Sequence, residues 1–136
     1  MTQSNPSDEG LAELRGVAED ARGTGPPLRL ALVQSHPRAG PAETLAEGER
    51  YCREARAAGA HVIVFPEMYS VGYQTEVDFG NPAEVDAWKA SALEAGGSYL
   101  NRFRELAGEL ELATVIGFLE RQGDALRNSA MVMDRR

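Results

Sequence analysis

The sequence predicts an α/β fold, and three observations support this prediction. Residues 28–33 and 62–65 are short apolar runs rich in Leu, Ile and Val, which are typical of strands buried on both faces. Between them, small and apolar residues recur at alternating spacings of three and four, the pattern of an amphipathic helix. A strand, a helix and a second strand in this order indicate a βαβ unit with parallel strands.

The region before the first strand differs in composition from the rest. Residues 1–27 are acidic and rich in small residues, and they close with the Gly/Pro-rich segment 23–27. A weak helical stripe of Leu and Ala within them is too thin to build a core. We therefore predict a disordered N-terminal extension and linker at 1–27, followed by one domain at 28–136.

The helix between the first two strands has recognisable ends. Pro41 suits a first turn, and Gly59 suits the C-terminal cap. Four-residue spacing also predicts exposed ion pairs of Glu49 with Arg53 and of Arg50 with Glu54. The narrow face that we expect to be buried consists of Leu45, Gly48, Cys52, Ala55 and Gly59.

Two more helices and two more strands follow. Asn81 is a candidate cap for a short helix, with Glu84 in the reciprocal position, and a second helix is predicted over residues 98–112. Residues 115–119 and 129–133 are predicted strands that pair as a hairpin, with a loop of several residues between them. Because all four strands are apolar runs, both sheet faces need cover, yet two good amphipathic helices can cover only one.

Composition excludes several classes of function. The chain of 136 residues has a net charge of −7, spread along the sequence, which argues against nucleic-acid binding. No run reaches transmembrane length and no signal-peptide segment opens the chain, so we expect no membrane contact. A single Cys fits a reducing compartment and hence the cytoplasm. His36 and His61 lack metal-ligand spacing, so neither a metal nor another cofactor is expected.

The apolar run 62–65 leads directly to a carboxylate. Pro66 ends the strand, and Glu67 follows it. Open α/β sheets bind ligands at the carboxyl ends of their strands, which is where Glu67 lies. Beside Phe65 and Tyr69 the carboxyl would be partly desolvated, which suits proton transfer, whereas a solvated loop residue is the alternative. Tyr69 and Tyr73 are candidates for lining a substrate pocket beside Glu67, and packing against the neighbouring loop would explain them equally well.

A family resemblance runs through the same segments. Residues 30–34 (LALVQ) and 58–68 (AGAHVIVFPEM) resemble the start of a nitrilase-superfamily, or carbon-nitrogen hydrolase, domain. Further matches at residues 72–73, 116–118 and 128–130 follow in the family's order and approximate spacing. The resemblance implies an α-β-β-α sandwich that hydrolyses amides, nitriles or ureido compounds with a Glu, a Lys and a Cys. It also implies that Glu67 is the general base.

The other two catalytic residues of the family have no match in this sequence. The resemblance implies that they follow the strand ending near residue 133, whereas the one lysine, Lys89, and the one cysteine, Cys52, lie before it. Lys89 is predicted to be a surface cation and Cys52 a packing residue. We therefore expect a partial α-β-β-α sandwich, the N-terminal half of the hydrolase domain, which is inactive alone.

Two classes of function remain open. In the first, the chain is half of a hydrolase of small-molecule amides or nitriles, either completed by a C-terminal half or assembled as a homo-oligomer. In the second, it is a non-catalytic interaction module that binds a partner through the uncovered sheet face. The sequence leaves open whether the chain is itself an enzyme, and it does not identify a substrate.

Overall fold

The computed structural model describes residues 25–36, 40–72 and 77–136. The predicted extension lies outside this part of the chain except for residues 25–27, and Tyr73 lies outside it as well. The α/β prediction is confirmed. The elements are β1 (Leu30–Leu32), α1 (Pro41–Ala57), β2 (Val62–Val64), α2 (Pro82–Ala90), α3 (Ser98–Glu109), β3 (Ala113–Gln122) and β4 (Ala125–Met133). Within the described residues, no helix combines the length and the apolarity that crossing a membrane requires.

The four strands form one sheet in the order β1-β2-β3-β4. β1 and β2 are parallel, as are β2 and β3, whereas β3 and β4 are antiparallel. The register aligns one apolar residue from each strand in a row across the whole sheet. This row consists of Leu32, Val64, Val115 and Val132, and it lies on one face.

Helices α1 and α3 cover the other face of the sheet and bury the core with it. Ile63, Ile116 and Phe103 are fully buried between these layers. The two helices approach closely at Gly48 of α1, where a Cβ would lie 2.5 Å from the tip of the Phe103 ring. Gly48 and Cys52 are buried as the helical pattern predicts, and the two predicted ion pairs of α1 are present. Gly59 has a φ of +79°, which fits its predicted place at the end of α1.

The face that carries the apolar row is open in the described structure. Leu30 is 56% exposed, Leu32 is 72% exposed and Val132 is 74% exposed, while Val64 and Val115 are half-buried. The prediction that the strands are buried on both faces is therefore wrong for this part of the chain. The reason is that α1 and α3 lie on the same side of the sheet, and α2 contains no buried residue. Among the helices that the structure describes, the expected shortage of cover is confirmed.

The hairpin of β3 and β4 is longer and tighter than the sequence predicts. Gln122 pairs with Ala125, so the loop contains two residues and not several. Gly123 has a φ of +60°, which is what the first loop position of a type II′ turn requires. The polar residues at both strand ends hide this extension, because apolar runs alone define the predicted strands.

Candidate active site

Glu67 lies just beyond the carboxyl end of β2, at the start of a turn that runs to Val71. The strand ends where the amide of Phe65 donates a hydrogen bond of 2.8 Å to Val115 O. The rings of Phe65 and Tyr69 are both buried, and their centroids are 4.7 Å apart. The Glu67 side chain is exposed instead, so the predicted partial desolvation is wrong for the described structure. Its aromatic neighbours turn into the core, and for that reason they do not screen the carboxylate from water.

The carboxylate of Glu67 has a side-chain partner on the far strand of the sheet. Asn128 of β4 donates a hydrogen bond from its Nδ2 to Glu67 Oε1. Asn128 pairs with Leu119 in the hairpin, so the pairing of β3 and β4 sets the position of the amide. This contact could not be read from the sequence, because it depends on the register of β4.

The backbone that carries Glu67 rests against Gly117 of β3. A Cβ at Gly117 would lie 2.7 Å from Pro66 O, 2.8 Å from Glu67 Cα and 3.0 Å from Met68 N. Only a residue without a side chain fits such a close approach of two backbones. Met68 itself has a φ of +53°, an unusual conformation for a residue with a side chain. The backbone at Glu67 is therefore constrained by the contact with Gly117 and by the unusual conformation of Met68.

Buried polar contacts tie the turn after Glu67 to α1 and β3. Ser70 Oγ accepts a hydrogen bond of 3.2 Å from the Leu119 amide, and Ser70 O accepts one of 3.3 Å from Thr44 Oγ1. Tyr69 donates from its hydroxyl to Thr44 O at 2.9 Å. Burial raises the pKa of the Tyr69 hydroxyl, which therefore remains a neutral donor. Tyr69 thus lies in the core, which favours its packing interpretation over a place in a substrate pocket.

Neither Lys89 nor Cys52 lies at the carboxyl end of a strand, where Glu67 is found. Both residues are on helices. Lys89 lies on the exposed surface of α2. Cys52 is 1% exposed and packs inside the hydrophobic core on α1. The pKa of the Cys52 thiol is raised to about 12. Burial is the main cause, and the negative charge of the nearby Glu49 carboxylate is the second. A nucleophilic cysteine needs the opposite shift, because the thiolate is the reactive form.

Comparison with known proteins decides the family. The sequence model of carbon-nitrogen hydrolases matches residues 29–136. The chain belongs to the carbon-nitrogen hydrolase family. The chain is 31% identical over 104 residues to a bifunctional nitrilase/nitrile hydratase of Oryza sativa subsp. japonica. This alignment covers 67% of the chain and 29% of that relative. It is 32% identical over 114 residues to an aliphatic nitrilase of Sinorhizobium fredii, covering 76% of the chain and 37% of the relative.

Solved structures of other proteins share the fold of this chain. A superfamily protein from Xanthomonas campestris superposes with a TM-score of 0.62 at 21% identity, over 79% of the chain and 37% of that protein. An amidase from Nesterenkonia sp. gives a TM-score of 0.57 at 22% identity, over 79% of the chain and 38% of the amidase. The chain therefore spans about a third of the length of the curated relatives it matches.

Proposed function

We propose that residues 28–136 form the N-terminal part of a hydrolase of carbon-nitrogen bonds in small amides or nitriles, and that Glu67 is its general base. The observation that carries this proposal is the contact of Glu67 with two neighbouring strands. Its backbone packs on Gly117 of β3, and its carboxylate accepts a hydrogen bond from Asn128 of β4. A carboxylate that is exposed to a substrate yet fixed in position suits general base catalysis.

The proposed reaction uses a cysteine that these 136 residues do not supply. Glu67 accepts the proton of the thiol, and the resulting thiolate attacks the amide or nitrile carbon. A cationic lysine stabilises the negative charge that develops on the substrate. Glu67 then gives this proton to the amide nitrogen, so that ammonia leaves and a thioester forms. The carboxylate of Glu67 next takes a proton from the water that attacks the thioester, and it returns that proton to the cysteine sulfur as the carboxylic acid leaves. With a nitrile, Glu67 gives the thiol proton to the nitrile nitrogen, which forms a thioimidate. A first water then adds to the thioimidate carbon and ammonia leaves, which gives the same thioester.

We place the lysine and the nucleophilic cysteine in polypeptide outside these 136 residues, either continuous with them or in a second chain. Supporting this, Lys89 is on an exposed helix and Cys52 is buried with a raised pKa. The open face with Leu32 and Val132 offers an apolar surface on which that polypeptide, or a second copy of the chain, can pack. Because Cys52 is unpaired, we also infer a reducing compartment such as the cytoplasm.

The second candidate function is a non-catalytic interaction module. The open apolar face favours it, since such a surface binds protein partners without any chemistry. The two candidates differ in what they require of Glu67. A module that binds through the sheet face does not need a carboxylate on the turn after β2, whereas the hydrolase does.

The decisive experiment joins the chain to a C-terminal segment that carries the family's lysine and cysteine, taken from one of the nitrilases above. We expect amide or nitrile turnover by the joined protein and none by the chain alone. Glu67→Gln keeps the shape and removes the base, so it should lower kcat on the order of a hundredfold or more. Glu94→Gln changes an exposed carboxylate in the connection between α2 and α3 and is the matched control.

A second variant tests the positioning of the carboxylate. Asn128→Ala removes the hydrogen bond to Glu67 and should lower kcat on the order of tenfold with a smaller change in KM. If Glu67→Gln turns over substrate as fast as the unmodified protein while both segments remain associated, Glu67 is not the base and the interaction module is favoured.

A further inference from the structure

The turn that follows β2 is bonded to β3 through a buried serine hydroxyl. β2 ends at Val64, which pairs with Val115, so the amide of Leu119 further along β3 has no carbonyl of β2 opposite it. Ser70 Oγ accepts the hydrogen bond of this amide instead, at 3.2 Å, and both residues are buried. Because a buried amide without an acceptor costs free energy, the hydroxyl takes the place of a strand partner.

Ser70 lies inside a turn that is closed by its own backbone. Met68 O accepts hydrogen bonds from the amide of Val71 at 3.0 Å and from the amide of Gly72 at 2.7 Å. Ser70 stands between the acceptor and these two donors in the chain, so its bond to β3 attaches the closed turn as a unit. Glu67 is the first residue of this turn, and its backbone is therefore held by the same attachment.

Leu119 connects the serine bond to the carboxylate of Glu67. In the hairpin, Leu119 lies opposite Asn128, whose Nδ2 donates a hydrogen bond to Glu67 Oε1. The contacts thus form a closed ring. It runs from the carboxylate to Asn128, across the strand pair to Leu119, through the hydroxyl of Ser70, and back along the turn to Glu67. Since supporting hydrogen bonds of this kind hold a functional group in place, losing one link is expected to disturb the others.

We propose that Ser70 is a positioning residue for Glu67, which sets the carboxylate against Asn128 through the amide of Leu119. The value of this positioning for catalysis rests on the proposed function, whereas the ring of contacts does not. Ser70 is 0% exposed, so it takes no part in the chemical step. A serine that only satisfied a buried amide would stabilise the fold and leave the contact between Asn128 and Glu67 unchanged. The two roles therefore predict different results.

NMR spectroscopy of the full chain tests the ring without any turnover. Ser70→Ala removes the acceptor, so hydrogen exchange at the Leu119 amide should accelerate by about tenfold or more. The side-chain amide signals of Asn128 should then shift towards the positions that they have in Glu67→Ala, where the carboxylate is absent. Thr114→Val is the matched control, because it removes another buried, hydrogen-bonded hydroxyl of β3 and should leave the Asn128 signals unchanged.

A second variant at the same position answers the question if Ser70→Ala does not fold. Ser70→Cys keeps a side chain of similar size whose sulfur is a weak acceptor. Exchange at the Leu119 amide should then be faster than in the unmodified chain, and the Asn128 signals should move in the direction of Glu67→Ala.

Turnover of the joined protein tests the catalytic part of the inference. Ser70→Ala should lower kcat about threefold to tenfold with a smaller change in KM, because the base is displaced while the substrate site is retained. In the background of Asn128→Ala, it should lower kcat further by no more than about twofold, since the ring is already open. Thr114→Val should keep kcat.

Three outcomes would overturn the inference. Unchanged exchange at the Leu119 amide in Ser70→Ala shows that the hydroxyl is not its acceptor. Asn128 signals that stay in place while this exchange accelerates show that Ser70 only stabilises the fold. Losses of kcat that multiply in the double variant show that Ser70 and Asn128 act independently. If the joined protein has no turnover at all, the proposed function fails, and the NMR measurements still decide whether Ser70 positions Glu67.

Discussion

Gly117 on β3 supports Glu67 on the turn after β2, with no room for a side chain between them. A Cβ at Gly117 would approach Glu67 Cα to 2.8 Å, which is closer than real Cβ atoms come to other heavy atoms. The obstructing atoms belong to backbone, and backbone cannot swing aside as a flexible side chain does. The position of the candidate base thus depends on a glycine fifty residues later in the chain.

Gly117→Ala is expected to displace the segment from Pro66 to Met68. Overpacking of this kind costs about 1–3 kcal/mol in the free energy of unfolding, measured by urea denaturation. In the joined protein it should also lower kcat, because Glu67 moves with its backbone. Gly108→Ala is the control, since a Cβ there meets nothing within 4 Å and α3 gains about 0.5–1 kcal/mol. Equal stability of the two variants would contradict the close contact.

Cys52 is expected to be unreactive in the folded chain. Its thiol is buried in the core, and its raised pKa of about 12 leaves almost no thiolate at pH 8. Iodoacetamide should therefore modify it only after unfolding in urea, as measured by intact mass. Cys52→Ala should cost about 1 kcal/mol by leaving a small void. Ala90→Cys in that background places a thiol on the exposed end of α2 as a positive control, and slow alkylation there would invalidate the comparison.

Stability is expected to fall in alkaline solution. Burial raises the pKa of Cys52 from an ordinary 9.0 to about 12, and it raises those of the Tyr69 and Tyr99 hydroxyls above 10.0. Above pH 9 the unfolded chain loses these protons first, so unfolding becomes more favourable as the pH rises towards 12. Each group contributes up to about 1.4 kcal/mol per pH unit.

Urea denaturation at each whole pH from 8 to 11 measures this effect. Cys52→Ala should remove most of the decrease between pH 8 and 9, where the tyrosines have hardly begun to ionise in the unfolded chain. A free energy of unfolding that stays level up to pH 11 would show that these groups are accessible to water.

The open sheet face is expected to make the isolated chain self-associate. Leu32 and Val132 are both more than 70% exposed, and they end an apolar row that crosses all four strands. Leu32→Thr with Val132→Thr should reduce association in light scattering while keeping strand propensity. Val132→Ile keeps the surface apolar and should associate like the unmodified chain. A monodisperse monomer that binds no hydrophobic dye would contradict this prediction.

Local signals in the sequence were sufficient to predict much of the fold. Asn81 caps α2 as predicted, because its side chain accepts from the Ala83 amide at 3.1 Å and cap chemistry acts over a few residues. The βαβ order and the place of Glu67 after a strand likewise follow from runs of neighbouring residues. The shortage of helical cover was also predictable from the number of amphipathic helices.

Features that depend on strand register could not be predicted in the same way. Asn128 reaches Glu67 because β4 pairs with β3 so that Asn128 lies opposite Leu119, and no local pattern encodes that alignment. The contact of Gly117 with Glu67 requires β2 and β3 to be neighbours in a particular register. Tyr69 is buried and Glu67 is exposed because the backbone of the turn directs their side chains to opposite sides. Sequence spacing gave no information on that direction.

The pairing pattern of the sheet also has a consequence for the order of folding. The hairpin of β3 and β4 pairs residues that are close in the sequence, beginning with Gln122 and Ala125. The parallel pairs join residues that are far apart in the sequence, since Val62 of β2 pairs with Leu30 of β1 and with Ala113 of β3. Local contacts form faster than distant ones because they close shorter loops. We therefore expect the hairpin to be structured in the folding transition state, so that Gly123→Val slows folding while Leu30→Ala mainly speeds unfolding. Gly117 and Asn128 would then be in place before Glu67 arrives with the slower parallel strands.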